Sequence, residues 1–202
     1  MKIIQSFKTF GGARMAGGCE TPRALVAKLE STYKVHRDYD YMMFTDAQGY
    51  KLIGNVVPCT VIDMPILAYD RIKYDGKFQA QALMQEPYIH VDLDAVLLSL
   101  PDYSDVWCEK MRYYQHGQEI NDLEMCVTNI SQLPCSGLIG FGDMDFQKLY
   151  IKTVFDLIDK HKNLRVLNYK HCWAIEELSL AILAKEHNKS ITTLNCKHDY
   201  FR

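Results

Sequence analysis

The sequence predicts an α/β protein built on a mixed, mostly parallel sheet flanked by helices. Three observations carry that expectation. Short apolar runs alternate with stretches whose apolar residues recur at helical spacing, the pattern of βαβ units. The chain has 202 residues, 48% hydrophobic and 24% charged, enough to bury one core in a single domain over 1–202. Finally, residues 87–97, PYIHVDLDAVL, pass from an apolar strand through two aspartates and back into apolar residues.

In order, residues 2–7 read as the first strand, followed by a glycine-rich loop over 11–18. Glycines placed after a first strand let backbone amides approach a phosphate. The lysine and hydroxyl of a P-loop are missing, however, and GxGxxG is not matched. Thr21 and Pro22 open a helix as N-cap and first position, with Leu25, Val26, Leu29 and Tyr33 at helical spacing. Residues 39–44 read as a second strand, ending at Thr45 and Asp46 and a turn through Gly49, and 56–62 hold a third. Residues 77–85 read as a helix with Phe78, Ala82 and Leu83 inward, leading into the strand that ends at Asp92.

Further on, 103–114 read as helical, 123–128 as a strand, and 134–142 as a turn-rich apolar segment beside the sheet. Residues 145–161 form an amphipathic helix, with Phe146, Leu149, Tyr150, Val154, Leu157 and Ile158 on one face. Residues 173–187 form another, with Ile175, Leu178, Ala181 and Ile182 inward, and 191–194 read as a closing strand.

Composition excludes several classes. A formal net charge of −2 gives no support to a nucleic-acid binder held by phosphate contacts. The seven cysteines, Cys19, Cys59, Cys108, Cys126, Cys135, Cys172 and Cys196, are odd in number and contain no CxxC pair. That argues against a zinc knuckle and a complete disulfide framework, and for reduced thiols in the cytoplasm. The apolar run at the N-terminus is too short for a signal peptide, and no run of about 18 apolar residues is present to span a membrane.

Open α/β sheets take ligands beyond the carboxyl ends of their strands. Three polar points fall at such ends: Ser6 with Lys8, Thr45 with Asp46, and Asp92 with Asp94. In an extended segment Asp92 and Asp94 share a face, about 7 Å apart. Carboxylates so placed repel unless a cation joins them, and oxygen ligands suit Mg²⁺ or Mn²⁺. Alternatively, one caps a turn and the other is solvated. Asp46 reads equally as a turn residue before Gly49, and Lys77 as a solvated lysine.

With these residues in view, the sequence resembles the GT-A glycosyltransferases. These are nucleotide-sugar transferases with a DxD metal motif, and they include the glycogenin-like enzymes and related small bacterial or phage proteins. The resemblance is carried by the opening strand KIIQSF, the strand end Phe44-Thr45-Asp46, Lys77, and the run PYIHVDLD closing on Asp92 and Asp94. It extends to Ser136-Gly137-Leu138-Ile139-Gly140, similar to the family's small-residue turn beside the donor sugar, and to Ile175-Glu176-Glu177, similar to its acidic helix start. Lys8 stands where relatives often carry a bulky aromatic.

The resemblance implies a GT-A fold and a nucleoside-diphosphate-sugar donor, uridine ahead of guanosine, with the acceptor left open. It implies Mn²⁺ or Mg²⁺ bridging Asp92 and Asp94 to the diphosphate, with His198 completing the metal shell. Ser6, Asp46, Lys77, Asp92 and Gly137 would surround the donor, and Asp94, Glu176 and Glu177 would stand at the reaction centre, a glutamate serving as acceptor base. His198 also reads as a surface histidine on the chain's tail, and Glu176 and Glu177 as first-turn acids that favour the helix dipole. From a different class, Asp92-Leu93-Asp94-Ala95 also resembles the first motif of haloacid-dehalogenase-type phosphatases, which would make Asp92 a nucleophile. An idle binding module on the same fold is the third alternative.

Overall fold

The computed structural model describes residues 1–8, 22–64, 76–93, 95–113, 130–161 and 174–197. Among them, β1 (Lys2–Phe7) is followed by α1 (Pro22–His36), β2 (Tyr41–Thr45), α2 (Ala47–Ile53), β3 (Cys59–Val61), α3 (Lys77–Ala82) and β4 (Tyr88–Val91). Next come β5 (Val96–Leu97), β6 (Val106–Cys108), β7 (Met111–Tyr113), β8 (Gln132–Pro134), β9 (Leu138–Phe141) and α4 (Met144–Lys160). A π-helical turn (Ala174–Leu178) runs into α5 (Ser179–Glu186), and β10 (Ile191–Thr193) and β11 (Cys196–Lys197) follow.

The main sheet has the order β10-β6-β9-β4-β1-β2-β3. Its neighbours pair in parallel except at β9, which runs against both β4 and β6. The sheet is mixed and mostly parallel, as the sequence predicts. Two small ribbons, β5 with β11 and β7 with β8, stand apart from it.

Alternation along β1 shows how both faces are covered, because successive side chains point to opposite sides. Ile4 joins a core with Phe78, Phe141, Tyr150 and Val154, under α3 and α4. Ile3 packs on the other face with Ile89 and Trp107. Phe7, on that face too, meets Leu25 and Leu29 of α1 and Ile53 of α2. All four residues of β4 are buried, as expected of a strand with layers on both sides. The stripe Phe146, Tyr150, Val154 and Ile158 seats α4. Asp143 caps that helix, accepting from the amides of Asp145 and Phe146, both at 3.0 Å.

Several expectations are corrected. Residues 103–114 hold no helix among those described; they supply β6 and β7, and Trp107 is buried within the sheet. Residues 134–142 are not a connection beside the sheet, because β9 runs through its middle. Gly140 explains the misleading glycine signal: a Cβ there would lie 2.5 Å from the Tyr88 carbonyl oxygen, so the strand packs only without one. The expected turn after Asp46 is a helix, α2, with Asp46 as its N-cap. Ala82 of α3 and Leu83 just past its end are exposed, whereas Lys77, Phe78, Ala80 and Gln81 are buried. The polar look of Lys77 and Gln81 hid the true inward face. The expected glycine-rich loop, Thr21, the strand over 123–128 and Trp173 lie outside the described residues.

Candidate functional site

Because β1, β2, β4 and β6 run the same way, Lys8, Asp46, Asp92 and Glu109 emerge at one edge of the sheet. The antiparallel β9 enters from that edge, bringing Ser136 and Gly137 beside the end of β4. Gly76 adopts a left-handed conformation (φ 63°) just before α3, a turn that a side chain would strain. It delivers Lys77 to the same place.

Lys77 is the hub. Its Nζ lies 3.0 Å from Glu176 Oε1 and 3.4 Å from Asp92 Oδ1, and it donates to the Ser136 carbonyl. The Lys77 and Glu176 side chains are each 1% exposed, whereas Asp92 is 26% exposed. A buried ammonium is tolerated only where anions and carbonyls replace its water, and these three groups do so. The Tyr150 hydroxyl donates to the Glu176 carbonyl at 3.0 Å, anchoring the π-helical turn to α4.

Asp92 is held from several sides. Its amide donates to the Gly137 carbonyl at 2.9 Å, and its own carbonyl accepts from Gln5 Nε2 at 3.3 Å. Gln5 Oε1 in turn accepts from the Tyr41 hydroxyl at 2.8 Å, and burial raises the pKa of that hydroxyl. Below the carboxylate, His90 Nδ1 lies 3.8 Å from Asp92 Oδ1, and His90 Nε2 is 2.8 Å from Ser6 Oγ. Hydroxyl, imidazole and carboxylate thus line up, but Ser6 and His90 are each 1% exposed. That row lies beneath Asp92 and offers no accessible nucleophile.

Glu177 forms a second junction. Its Oε1 accepts from the Ser136 amide at 3.1 Å and the Ser136 hydroxyl at 3.2 Å, and its Oε2 pairs with Arg112 of β7. Nearby, the Cys135 thiol donates to Glu109 at 3.4 Å. Burial pushes Cys135 up to about 11 and Cys108 up to about 12, so these thiols stay protonated at neutral pH and are poor nucleophiles.

Of the residues singled out from sequence, Lys77, Asp92, Gly137, Glu176 and Glu177 meet in this network, and Ser6 sits beneath it. Asp46 lies at the same edge, where its Oδ1 accepts from the Gly49 amide at 2.6 Å. Asp94 and His198 lie outside the described residues. Among the described residues, no three His, Cys, Asp or Glu side chains gather as a metal-ligand group. The donor that is described, the partly exposed Asp92 carboxylate, is of the hard oxygen type that Mg²⁺ and Mn²⁺ take. Sequence reasoning missed Gln5, His90 and Arg112. Two of them carried a signal, because Gln5 and His90 are polar residues inside strands that otherwise read as core. Arg112 carried none.

No protein-family profile and no curated protein sequence matches the chain. Among solved structures it is similar to the galactosyltransferase LgtC in complex with donor and acceptor sugar analogs. That match has a TM-score of 0.50 and 9% identity, covering 96% of this chain and 73% of that one. An active-site mutant of LgtC matches at 0.47 and 11% identity, covering 88% and 70%. The inositol-1-phosphate CTP transferase from T. maritima matches at 0.40 and 11%, covering 97% and 86%. At these identities the likeness to LgtC concerns the fold, a mixed, mostly parallel α/β sheet of GT-A type.

Proposed function

We propose that the chain is a glycosyltransferase, one catalytic domain over 1–202, moving a sugar from a nucleoside-diphosphate sugar, first of all a UDP-sugar, to an acceptor. One observation carries it: a partly exposed carboxylate, Asp92, fixed by buried Lys77 at the carboxyl end of a central strand, where α/β sheets take their ligands. The fold shared with LgtC, whose structure holds donor and acceptor sugar analogs, supports the same reading.

In this reading Asp92, with Asp94 and His198, would hold Mn²⁺ or Mg²⁺, which would supply positive charge to offset that of a departing diphosphate. Ser6 and His90 line the space beneath the Asp92 carboxylate, and the Gly137 carbonyl fixes its backbone. Asp46, at the same edge, stands on the nucleotide side. Glu176 and Glu177 are buried and ion-paired, so they hold Lys77 and the Ser136 turn in register rather than exchanging protons with an acceptor. No helix among the described residues is long and apolar enough to cross a membrane. The free thiols of Cys59, Cys108, Cys135 and Cys196 accord with the cytoplasmic location included in this proposal.

A screen of UDP- and GDP-sugars with Mn²⁺, and again with chelator, tests the proposal by thermal stabilisation and by donor hydrolysis. Ligand at a hundred times its Kd stabilises by about 2.7 kcal/mol, so at least one donor raises the Tm with metal and none does with chelator. No response to any donor would favour an idle module. A phosphoryl group on Asp92 in intact-mass spectra would favour the phosphatase.

A further inference from the structure

We propose that Arg112 is a positioning residue for the nucleotide end of the site, acting through Glu177; this rests on reading that edge as a nucleoside-diphosphate-sugar site. The ribbon of β7 and β8 explains how the guanidinium arrives there. Arg112 and Leu133 are paired in register and so share one face of the ribbon. Leu133 is fully buried in the core that includes Ala174, Ile175 and Leu178. That face therefore lies on the π-helical turn, and Arg112 meets Glu177.

What Glu177 does next gives the pairing its reach. Through Oε1 it holds both the amide and the hydroxyl of Ser136. The Ser136 carbonyl accepts from Lys77, and the Gly137 carbonyl accepts from the Asp92 amide. The turn at Ser136 and Gly137 is thus gripped from one side by Glu177, and from the other it holds buried Lys77 and the backbone of the partly exposed Asp92. The Glu177 side chain is 5% exposed and that of Arg112 is 37% exposed. Arg112 supplies the cation that a carboxylate so buried requires, from a ribbon that reaches solvent. Lysine would keep the charge but lose the planar fork that aligns a carboxylate.

The test combines amide hydrogen exchange on the protein without ligand and a titration of UDP with Mn²⁺. In Arg112→Met, the Ser136 and Asp92 amides should exchange about ten-fold faster, while amides of β1 and α4 keep their protection. Affinity for UDP with Mn²⁺ should fall about ten-fold, and Arg112→Lys should recover part of it. Adding Glu177→Gln to Arg112→Met should weaken binding no further, as expected when one residue acts through the other. A uniform fall in Tm with unchanged affinity and exchange would mark a merely structural pair and overturn the proposal. Should Arg112→Met fail to fold, unchanged Ser136 exchange in Arg112→Lys overturns it equally. If the unaltered protein binds no UDP with Mn²⁺, the nucleotide-sugar reading falls, and the exchange arm still decides whether Arg112 positions Asp92.

Discussion

Lys77 and His36 are both buried titratable side chains, and the protein treats them in opposite ways. Lys77 lies among Glu176, Asp92 and a carbonyl, so its charge is kept and matched. His36, at the end of α1, is fully buried beside Tyr41 and accepts from the Leu97 amide through Nε2 at 3.1 Å. Burial pushes its pKa down to about 4, so at neutral pH it is an uncharged acceptor. The contrast separates two uses of polar burial. A neutral group suffices to tie α1 to β5. A charged one is retained at the edge of the sheet, where Lys77 pairs with buried Glu176 and with the partly exposed Asp92 carboxylate.

The largest expected effect breaks the charged side of that comparison. Lys77→Met leaves Glu176 buried without its ammonium, and removing one member of a buried ion pair costs about 3–5 kcal/mol. Urea unfolding should show that loss. A cost below about 1 kcal/mol, the usual worth of a surface pair, would mean that Lys77 does not hold the junction together.

Next in size is the neutral side. The unfolded chain protonates His36 near pH 6.5 and the folded one only near 4, so the unfolded state binds more protons between those values. Stability is full above about pH 6.5, falls as the pH drops towards 4, and changes no further from this group below that. The gap corresponds to about 3 kcal/mol. Comparing urea midpoints of the protein and of His36→Gln across that range isolates it, because the glutamine amide can accept from Leu97 without titrating. Identical pH profiles would contradict the account.

The smallest effect sharpens the comparison with a charge near the surface. Asp143 caps α4 and pairs with Lys189 at 2.6 Å, and that partner chiefly holds its pKa below the ordinary value. Asp143→Ala should cost about 1 kcal/mol by thermal melt, the usual value for an N-cap. Asp143→Asn should cost less, because the cap survives and only the ion pair is lost. Equal costs would assign the whole effect to the pair.

How much of this was legible in the sequence depended on whether chemistry and burial agreed. α1 and α4 were readable because apolar residues marked their inward faces at helical period, and β1 and β4 because they are short runs set off by turn and polar residues. β6 was not, since Val106-Trp107-Cys108 is a continuous buried run that fits either period. β9 was masked by Gly137, Gly140 and Gly142, which read as turns although Gly140 is required by close strand packing. At the site, Asp92 and Lys77 were visible as strand-end and helix-start residues. Glu176 and Glu177 were visible as acids, but their burial was not, because it is created by partners far away in sequence. Arg112 was illegible for the same reason: its meaning comes from Glu177, 65 residues on.

The central claim is that the Asp92 carboxylate, once Lys77 has fixed it, serves a metal-bound nucleotide rather than the fold. Calorimetric titration of UDP into the protein and into Asp92→Asn, each with Mn²⁺ and with chelator, tests it directly. Asparagine keeps the shape and accepts a hydrogen bond, and Lys77 keeps Glu176, so the variant should fold with a Tm close to that of the parent. The account predicts binding by the parent with Mn²⁺ alone and none by the variant under either condition. Equal binding by both proteins, or binding indifferent to chelator, would contradict it.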